Sequence, residues 1–381
     1  MRLSKRGAVD PFIVMDVMEA ARAAEEAGQR VIHMEVGQPG TGAPRAALDR
    51  LAKDMAGDPL GYSVALGIPE LRARIARHYA EWHGVDLDPA RVIVTSGASG
   101  AFLLAFSAVF DTGARVGLGE PCYPSYRQIL KALGMQPVGI ETTMDTRLQP
   151  VPAQVERRGL DGLLVASPPN PSGTMLGDQD LKALSDWCQG TDTVLISDEI
   201  YHGLAYGSRA VSALEVTDDV IVINSFSKYF SMTGWRVGWM VVPETHVRTV
   251  ERLAQNMFIC PAHASQRLAL HAMDSTEELD ANVAVYAENR RLMIEGLPKA
   301  GFDAFAPPDG AFYIYADVSA HTDDALAFSK EILEGAGVAV TPGVDFDPRR
   351  GRHWLRFSYA RSTADIREGL ERLKTFMERR A

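Results

Sequence analysis

The segment Ser225-Phe226-Ser227-Lys228, with Gly234, Trp235, Arg236 and Gly238 just beyond, brings together hydroxyls, a primary amine and a guanidinium. Hydroxyl donors and a guanidinium fork are the groups that hold a phosphate dianion. The apolar run Val220 to Ile223 comes first, so Lys228 falls in a loop at the carboxyl end of an expected strand, where open α/β sheets bind ligands. Taken singly, Lys228 reads as a solvated side chain and Arg236 as half of a surface ion pair; their spacing joins them. A second anion site is suggested by Val92-Ile93-Val94-Thr95-Ser96-Gly97-Ala98-Ser99-Gly100, a strand that breaks into a glycine-rich turn before the apolar stretch Ala101 to Phe110. Backbone N–H groups at such a helix start have no intrahelical partner and favour an anion. The pattern is neither a dinucleotide-binding fingerprint nor a Walker loop, and its glycines also suit an ordinary tight turn.

Two further strand ends carry polar groups. Ser197-Asp198-Glu199-Ile200-Tyr201 follows the run Thr193 to Ile196, which puts Asp198 at the strand's end and lets Tyr201 face the same pocket if the chain turns. A helix-capping aspartate beside a half-buried tyrosine reads equally well there. In Ser167-Pro168-Pro169-Asn170-Pro171-Ser172-Gly173 the prolines stiffen a loop and fix the direction of the Asn170 amide.

The elements that must hold these groups follow from periodicity. Short β-branched runs at Arg91 to Thr95, Arg115 to Leu118, Pro137 to Ile140, Gly162 to Ala166, Thr193 to Ser197, Val220 to Asn224 and Gly238 to Val242 read as strands. Between them lie amphipathic stretches such as Leu71 to Trp82 and Leu181 to Gln189, the form of an α/β protein with a mostly parallel sheet flanked by helices. After Pro261 the pattern predicts one long helix, Ala264 to Glu295, then strands at Gly310 to Ala316, Val338 to Thr341 and Trp354 to Tyr359, and a closing helix, Thr363 to Arg379. The expected division is an N-terminal arm (1–40) with a helix over Phe12 to Ala27 that packs on the small domain, a large domain (41–270), and a smaller α+β domain (271–381). No repeat or low-complexity segment is visible.

Composition narrows the class. The 381 residues exceed one typical domain of about 150. With 46% hydrophobic and 23% charged residues, the chain is neither disordered nor fibrous. Forty-nine acidic against 39 basic side chains give a net charge of −10, the wrong sign for a dedicated nucleic-acid binder. Cys122, Cys188 and Cys260 are odd in number and far apart, suggesting neither a disulfide framework nor a zinc site, and their usage fits a reducing cytosol. The basic start leads into no signal peptide, and the longest apolar stretch is about half a membrane span. A soluble, cytoplasmic protein without a metal is expected.

Asn170 in P-N-P-S-G, Asp198 and Tyr201 in D-E-I-Y, Lys228 in S-F-S-K and Arg236 beyond it occur in the order of class I/II aminotransferases of the pyridoxal-phosphate-dependent fold type I. The chain resembles that family from Tyr62 in G-Y-S-V-A-L-G-I-P-E-L-R to Arg356 in W-L-R-F-S-Y-A. Each motif is short; their shared order is specific. The resemblance implies pyridoxal 5'-phosphate as cofactor, held by Lys228 as an internal aldimine, with Asp198 on the pyridine nitrogen and Asn170 and Tyr201 on the phenolic oxygen. It implies that Tyr123 stacks on the ring and that Gly97, Ala98, Ser99, Ser225, Ser227 and Arg236 hold the phosphate. Arg356 would clamp the substrate α-carboxylate beneath the backbone of Gly37, with Asn170 also on the substrate. Tyr62 would reach the phosphate of the neighbouring subunit, which implies a homodimer with shared active sites.

The expected activity is ping-pong transfer of an amino group from an L-amino acid to a 2-oxo acid, with Lys228 as the proton-moving base. A C–S lyase or γ-eliminating synthase on the same fold shares every cofactor residue and stays open at this point. A noncatalytic regulator would need a DNA-binding domain ahead of the fold, for which the pattern leaves no room. Arg22, Arg127 and Arg267 are candidate second cations for an acidic substrate, each also readable as a surface residue; the resemblance implies an aromatic or other neutral donor with 2-oxoglutarate as acceptor.

Overall fold

In the computed structural model, which describes residues 1–380, a seven-stranded sheet forms the centre. Its spatial order is Val92–Thr95, Gly238–Val241, Ile221–Ser225, Val194–Asp198, Gly162–Ala166, Arg115–Glu120, Gln136–Glu141. Gly238–Val241 runs antiparallel to both neighbours, and all the remaining pairs are parallel. The inner strands are apolar nearly throughout because helices cover both faces. Alternation assigns each residue its side. Leu163, Val165, Leu195 and Val222 enter one core, whereas Leu164, Ile196, Ile221 and Ile223 enter the other.

The helix Gly97–Val109 is apolar around most of its circumference and is buried in the second of these cores through Ala101, Phe102, Ala105 and Phe106. It starts two residues after the strand Val92–Thr95 ends. Its first turn is therefore delivered to the sheet's carboxyl edge, beside the ends of Ile221–Ser225 and Val194–Asp198.

A four-stranded antiparallel sheet, in the order Thr341–Pro342, Trp354–Ser358, Tyr313–Asp317, Ala304–Phe305, lies in the C-terminal part with helices Thr276–Gly296, Ala325–Ala336 and Thr363–Arg380. The N-terminal segment pairs with this part of the chain in a separate two-stranded sheet, Ile32–His33 running parallel to Val338–Ala339. The helix Ile13–Glu26 buries only Val14 and Ala21. Its first N–H groups have no cap of their own, and the Asp345 carboxylate accepts from Ile13 N and Val14 N, both at 3.2 Å.

Three expectations need correction. The expected strand Val338 to Thr341 is split, since Val338–Ala339 pairs with Ile32–His33 in a two-stranded sheet and Thr341–Pro342 lies at the edge of the four-stranded one. The single helix Ala264 to Glu295 is two helices, His263–Ala272 and Thr276–Gly296. The chain turns at Met273-Asp274-Ser275, where Asp274 N and Ser275 N bond back to His271 O and Ala272 O. No glycine or proline marks the break. The first helix packs on Arg45–Gly57 and the second on Thr363–Arg380, so different partners decide it. The expected strand Gly310 to Ala316 begins only at Tyr313, because Ala311 takes a left-handed conformation with φ +56°.

Candidate active site

Lys228 follows the central strand Ile221–Ser225 and reaches back over the sheet edge. Its Nζ donates to the Gly37 carbonyl at 2.5 Å and stands 5.5 Å from the centre of the Tyr201 ring. Burial, then the nearby Arg356 and Arg236 charges, lower the amine to about 8. A neutral fraction is thus present near neutral pH, as an amine that exchanges protons requires.

Ser227 and Arg236 are brought together by the turn that ends in the left-handed Arg236 (φ 51°). Arg236 Nη1 donates to Thr233 O at 3.0 Å and lies 3.5 Å from Ser227 Oγ. Opposite stands Gly97 with φ +72°, where an added Cβ would fall 2.3 Å from Arg236 Nη2. Only glycine leaves that space open. Ala98 and Ser99 line the cavity here, while Ser225 lies behind Ser227, its Oγ donating to Val237 O at 3.1 Å and lying 2.9 Å from Ser227 Oγ.

Asp198 ends its strand as expected and is 3% exposed. Its Oδ1 accepts from Ile200 N at 3.0 Å and its Oδ2 from the Tyr126 hydroxyl. Burial pushes the carboxyl up to about 6, against the pull of Tyr126, Ile200 N and Lys228. Tyr126 was absent from the expected site. The signal for it was present: in P-C-Y-P-S-Y the helix Pro124–Leu133 begins immediately after Tyr123, and a spacing of three puts both tyrosines on one side. Their rings meet edge to face at 5.4 Å.

Arg356 is 2% exposed and projects from the antiparallel sheet into the same cavity. Its Nη1 donates to Asn170 Oδ1 at 2.8 Å, and its Nη2 donates to Glu35 O and, at 3.1 Å, to Thr341 Oγ1. The guanidinium lies between the Tyr313 and Phe346 rings, 4.5 and 4.9 Å from their centres. Among the described residues it has no carboxylate partner, and its Nε has no hydrogen-bond acceptor. A buried unpaired guanidinium is costly, and a ligand carboxylate relieves that cost. Tyr313, also unforeseen, bonds its hydroxyl to that of Tyr201 at 2.8 Å.

These groups share one cavity of about 440 Å3, whose wall includes Gly37, Tyr123, Asn170, Asp198, Tyr201, Ser227, Lys228, Arg236 and Arg356. Phe12, Val14, Met15 and Met18 of the N-terminal segment, with Ile129, form an apolar side. Tyr62 is elsewhere, 85% exposed on the surface of the single chain. None of the three candidate cations reaches the cavity. Arg22 pairs with Glu19 and Glu26, Arg127 is held by Asp345 O, and Arg267 faces Asp58.

Residues 29–373 match the family model described as aminotransferase class I and II. The chain belongs to this family. The class I and II aminotransferases are enzymes that depend on pyridoxal phosphate and move amino groups between amino acids and keto acids. A valine–pyruvate aminotransferase of Mycobacterium tuberculosis is 46% identical over 99% of this chain and 98% of its own length. Among solved structures, a candidate aminotransferase from Silicibacter pomeroyi is 65% identical with a TM-score of 0.94, covering 100% of both chains. The aspartate aminotransferase of Thermus thermophilus, solved with maleate, is 30% identical with a TM-score of 0.92, over 99% of this chain and 100% of that one. The aminotransferase fold is thus an α/β large sheet with a smaller α+β part, and this chain has it.

Proposed function

We propose that the cavity binds pyridoxal 5'-phosphate and an L-amino acid with a neutral, apolar side chain, and that the aminotransferase works as a homodimer. The observation that carries this reading is the buried Arg356, unpaired with any carboxylate among the described residues, in one cavity with Lys228 and Asp198. The donor set suits the cofactor. Lys228 offers an amine to an aldehyde, and Asp198 offers a carboxylate to a protonated ring nitrogen. The space beside Gly97, with Arg236, Ser99, Ser227 and the free N–H groups of the helix start, suits a phosphate. Bound there, pyridoxal phosphate supplies an aldehyde for the amino group and a ring that accepts the electrons left on Cα.

The residues of this chain do the rest. Arg356 takes the α-carboxylate bidentately, with Asn170 and the Gly37 backbone alongside, and so fixes the direction of the Cα–H bond. Lys228, low in pKa, takes the Cα proton and would deliver it to the former aldehyde carbon, two bonds away across the amino nitrogen. With the cofactor bound, Asp198 would keep the ring nitrogen protonated, Asn170 and Tyr201 would hold the phenolic oxygen, and Tyr123 would pack on the ring. Donor and acceptor use the cavity in turn, in a ping-pong cycle.

The apolar wall of Phe12, Met15, Met18 and Ile129 supports a donor without a distal charge, and methionines adapt to side chains of different shape. The valine–pyruvate aminotransferase relative has a donor of that kind. Exposure of Tyr62 and Val64, and of Ile259 on the segment that Gly61 touches through His263, supports a partner subunit covering this edge and sharing its site. We read 1–40 as the arm, 41–270 as the cofactor domain and 271–381 as the small domain. Free Cys122, Cys188 and Cys260 support a cytoplasmic setting; no helix among the described residues is long and apolar enough to cross a membrane.

Half-reaction absorbance changes against a panel of amino acids test the reading. Valine, leucine, methionine and alanine are expected to react well and aspartate and glutamate poorly. Preference for the acids would overturn the side-chain assignment, and no reaction with any amino acid would overturn the activity.

A further inference from the structure

Behind the cavity floor, Glu199 and His202 form a buried pair that the proposed chemistry does not use. They are 1% and 5% exposed. Glu199 Oε1 accepts from Ala213 N at 2.7 Å and Ser197 Oγ at 3.1 Å, and Ser212 Oγ lies 2.9 Å from Oε2. His202 Nε2 is 3.0 Å from the Ser167 carbonyl. A carbonyl oxygen only accepts, so Nε2 carries the hydrogen and Nδ1 presents its lone pair. Among the described residues that Nδ1 has no hydrogen-bond partner, and it faces Glu199 Oε2 at 3.4 Å. Two acceptors facing each other out of water repel unless a proton lies between them.

We propose that Glu199 and His202 share one proton and act as a positioning pair, clamping the turn that carries Asp198 and Tyr201 to the strand end that carries the Asn170 loop. The connections run through Ser167, which donates its N–H to Asp198 O at 3.2 Å, accepts from His202, and leads directly into Pro168-Pro169-Asn170. His202 N also donates to Glu199 O at 2.9 Å, closing the turn. The pair therefore ties together Asp198, Tyr201 and Asn170, the groups assigned to the cofactor ring.

The proton rests on Glu199. Burial raises its carboxyl to about 8 and lowers His202 to about 3, so both stay uncharged and the acid donates to Nδ1. The titratable groups facing the pair are His83, whose ring centre is 5.3 Å from that of His202, His78, Tyr79, Glu215 and, through Glu215, Arg209.

Nitrogen-15 NMR of the histidine rings tests the pair without reference to turnover. His202 is expected to remain a neutral imidazole with a hydrogen-bonded Nδ1 from about pH 5 to 7, between the His202 and Glu199 values. Glu199→Gln, whose amide still donates, is expected to preserve that resonance and kcat, whereas Glu199→Ala frees Nδ1. Only the kinetic arm rests on the proposed function: with Glu199→Ala, kcat falls at least about tenfold while KM changes less than about threefold. A His202 that titrates in the wild-type protein near the ordinary value of about 6.5 would overturn the shared proton. An unchanged kcat in a folded Glu199→Ala protein with freed Nδ1 would overturn the positioning role, as would a Glu199→Gln protein as impaired as Glu199→Ala.

Discussion

The Tyr126 hydroxyl donates to the Asp198 carboxylate, and both side chains are buried beneath the cavity. Burial alone drives the Asp198 carboxyl upward, and Tyr126 heads the groups that pull it back. Tyr126→Phe removes that donor at almost unchanged volume. The carboxylate exists above its pKa, so a higher pKa removes it from the lower end of the working range. The acid limb of the kcat/KM profile is expected to move to higher pH, with about a tenfold loss at its foot, from a charge-assisted hydrogen bond worth about 1.5–3 kcal/mol. An acid limb in its wild-type place would detach Tyr126 from the ionisation of Asp198.

Borohydride reduction of the enzyme loaded with pyridoxal phosphate, followed by peptide mapping, is expected to leave the pyridoxyl group on Lys228. The lowered pKa and central placement of that amine motivate the choice. An adduct on any other lysine sinks the assignment.

Arg356 sets function against stability. Its guanidinium is buried without a carboxylate partner among the described residues, and replacing a buried charge by an apolar side chain is often neutral or stabilising. Arg356→Met is expected to hold or raise Tm while kcat/KM falls about 100-fold or more through loss of the bidentate contact. A large fall in Tm would show that the bonds to Asn170, Glu35 and Thr341 outweigh the buried charge.

Tyr62 and Lys228 test the shared site by complementation. Lys228→Ala and Tyr62→Ala place their defects in different composite sites, so a mixed dimer carries one site with both defects and one with neither. Mixing the two impaired homodimers after reversible dissociation should restore part of the activity, given that Tyr62→Ala alone impairs turnover. Verified mixed dimers without recovery would reject sharing between subunits, and a fully active monomer by sedimentation would reject the dimer.

Met18 lines the cavity on the N-terminal helix. Met18→Arg puts a cation where none of Arg22, Arg127 or Arg267 reaches, and is expected to raise the kcat/KM ratio of glutamate over leucine about tenfold or more. A ratio that does not move would remove this helix from the side-chain site.

Lys228, Asp198 and Asn170 were legible at strand ends because each strand announces itself locally. An apolar run followed by polar loop residues puts those residues at the sheet's carboxyl edge, and the alternation of parallel strands with helices places such edges together. The glycine-rich start of Gly97–Val109 was legible for a similar reason, since a helix beginning right after a strand exposes its N–H groups there. The family followed from the order of the motifs. What periodicity does not carry is distance across the chain. Tyr126 and Asp198 are 72 residues apart, Arg356 and Asn170 186, and the Asp345 cap and Val14 331. Such contacts depend on which faces of separate elements meet, as does the break between His263–Ala272 and Thr276–Gly296. Tyr126, Tyr313, the apolar wall from the N-terminal helix and the proton between Glu199 and His202 came only from that packing, because burial and unmet hydrogen bonds are properties of the assembled core.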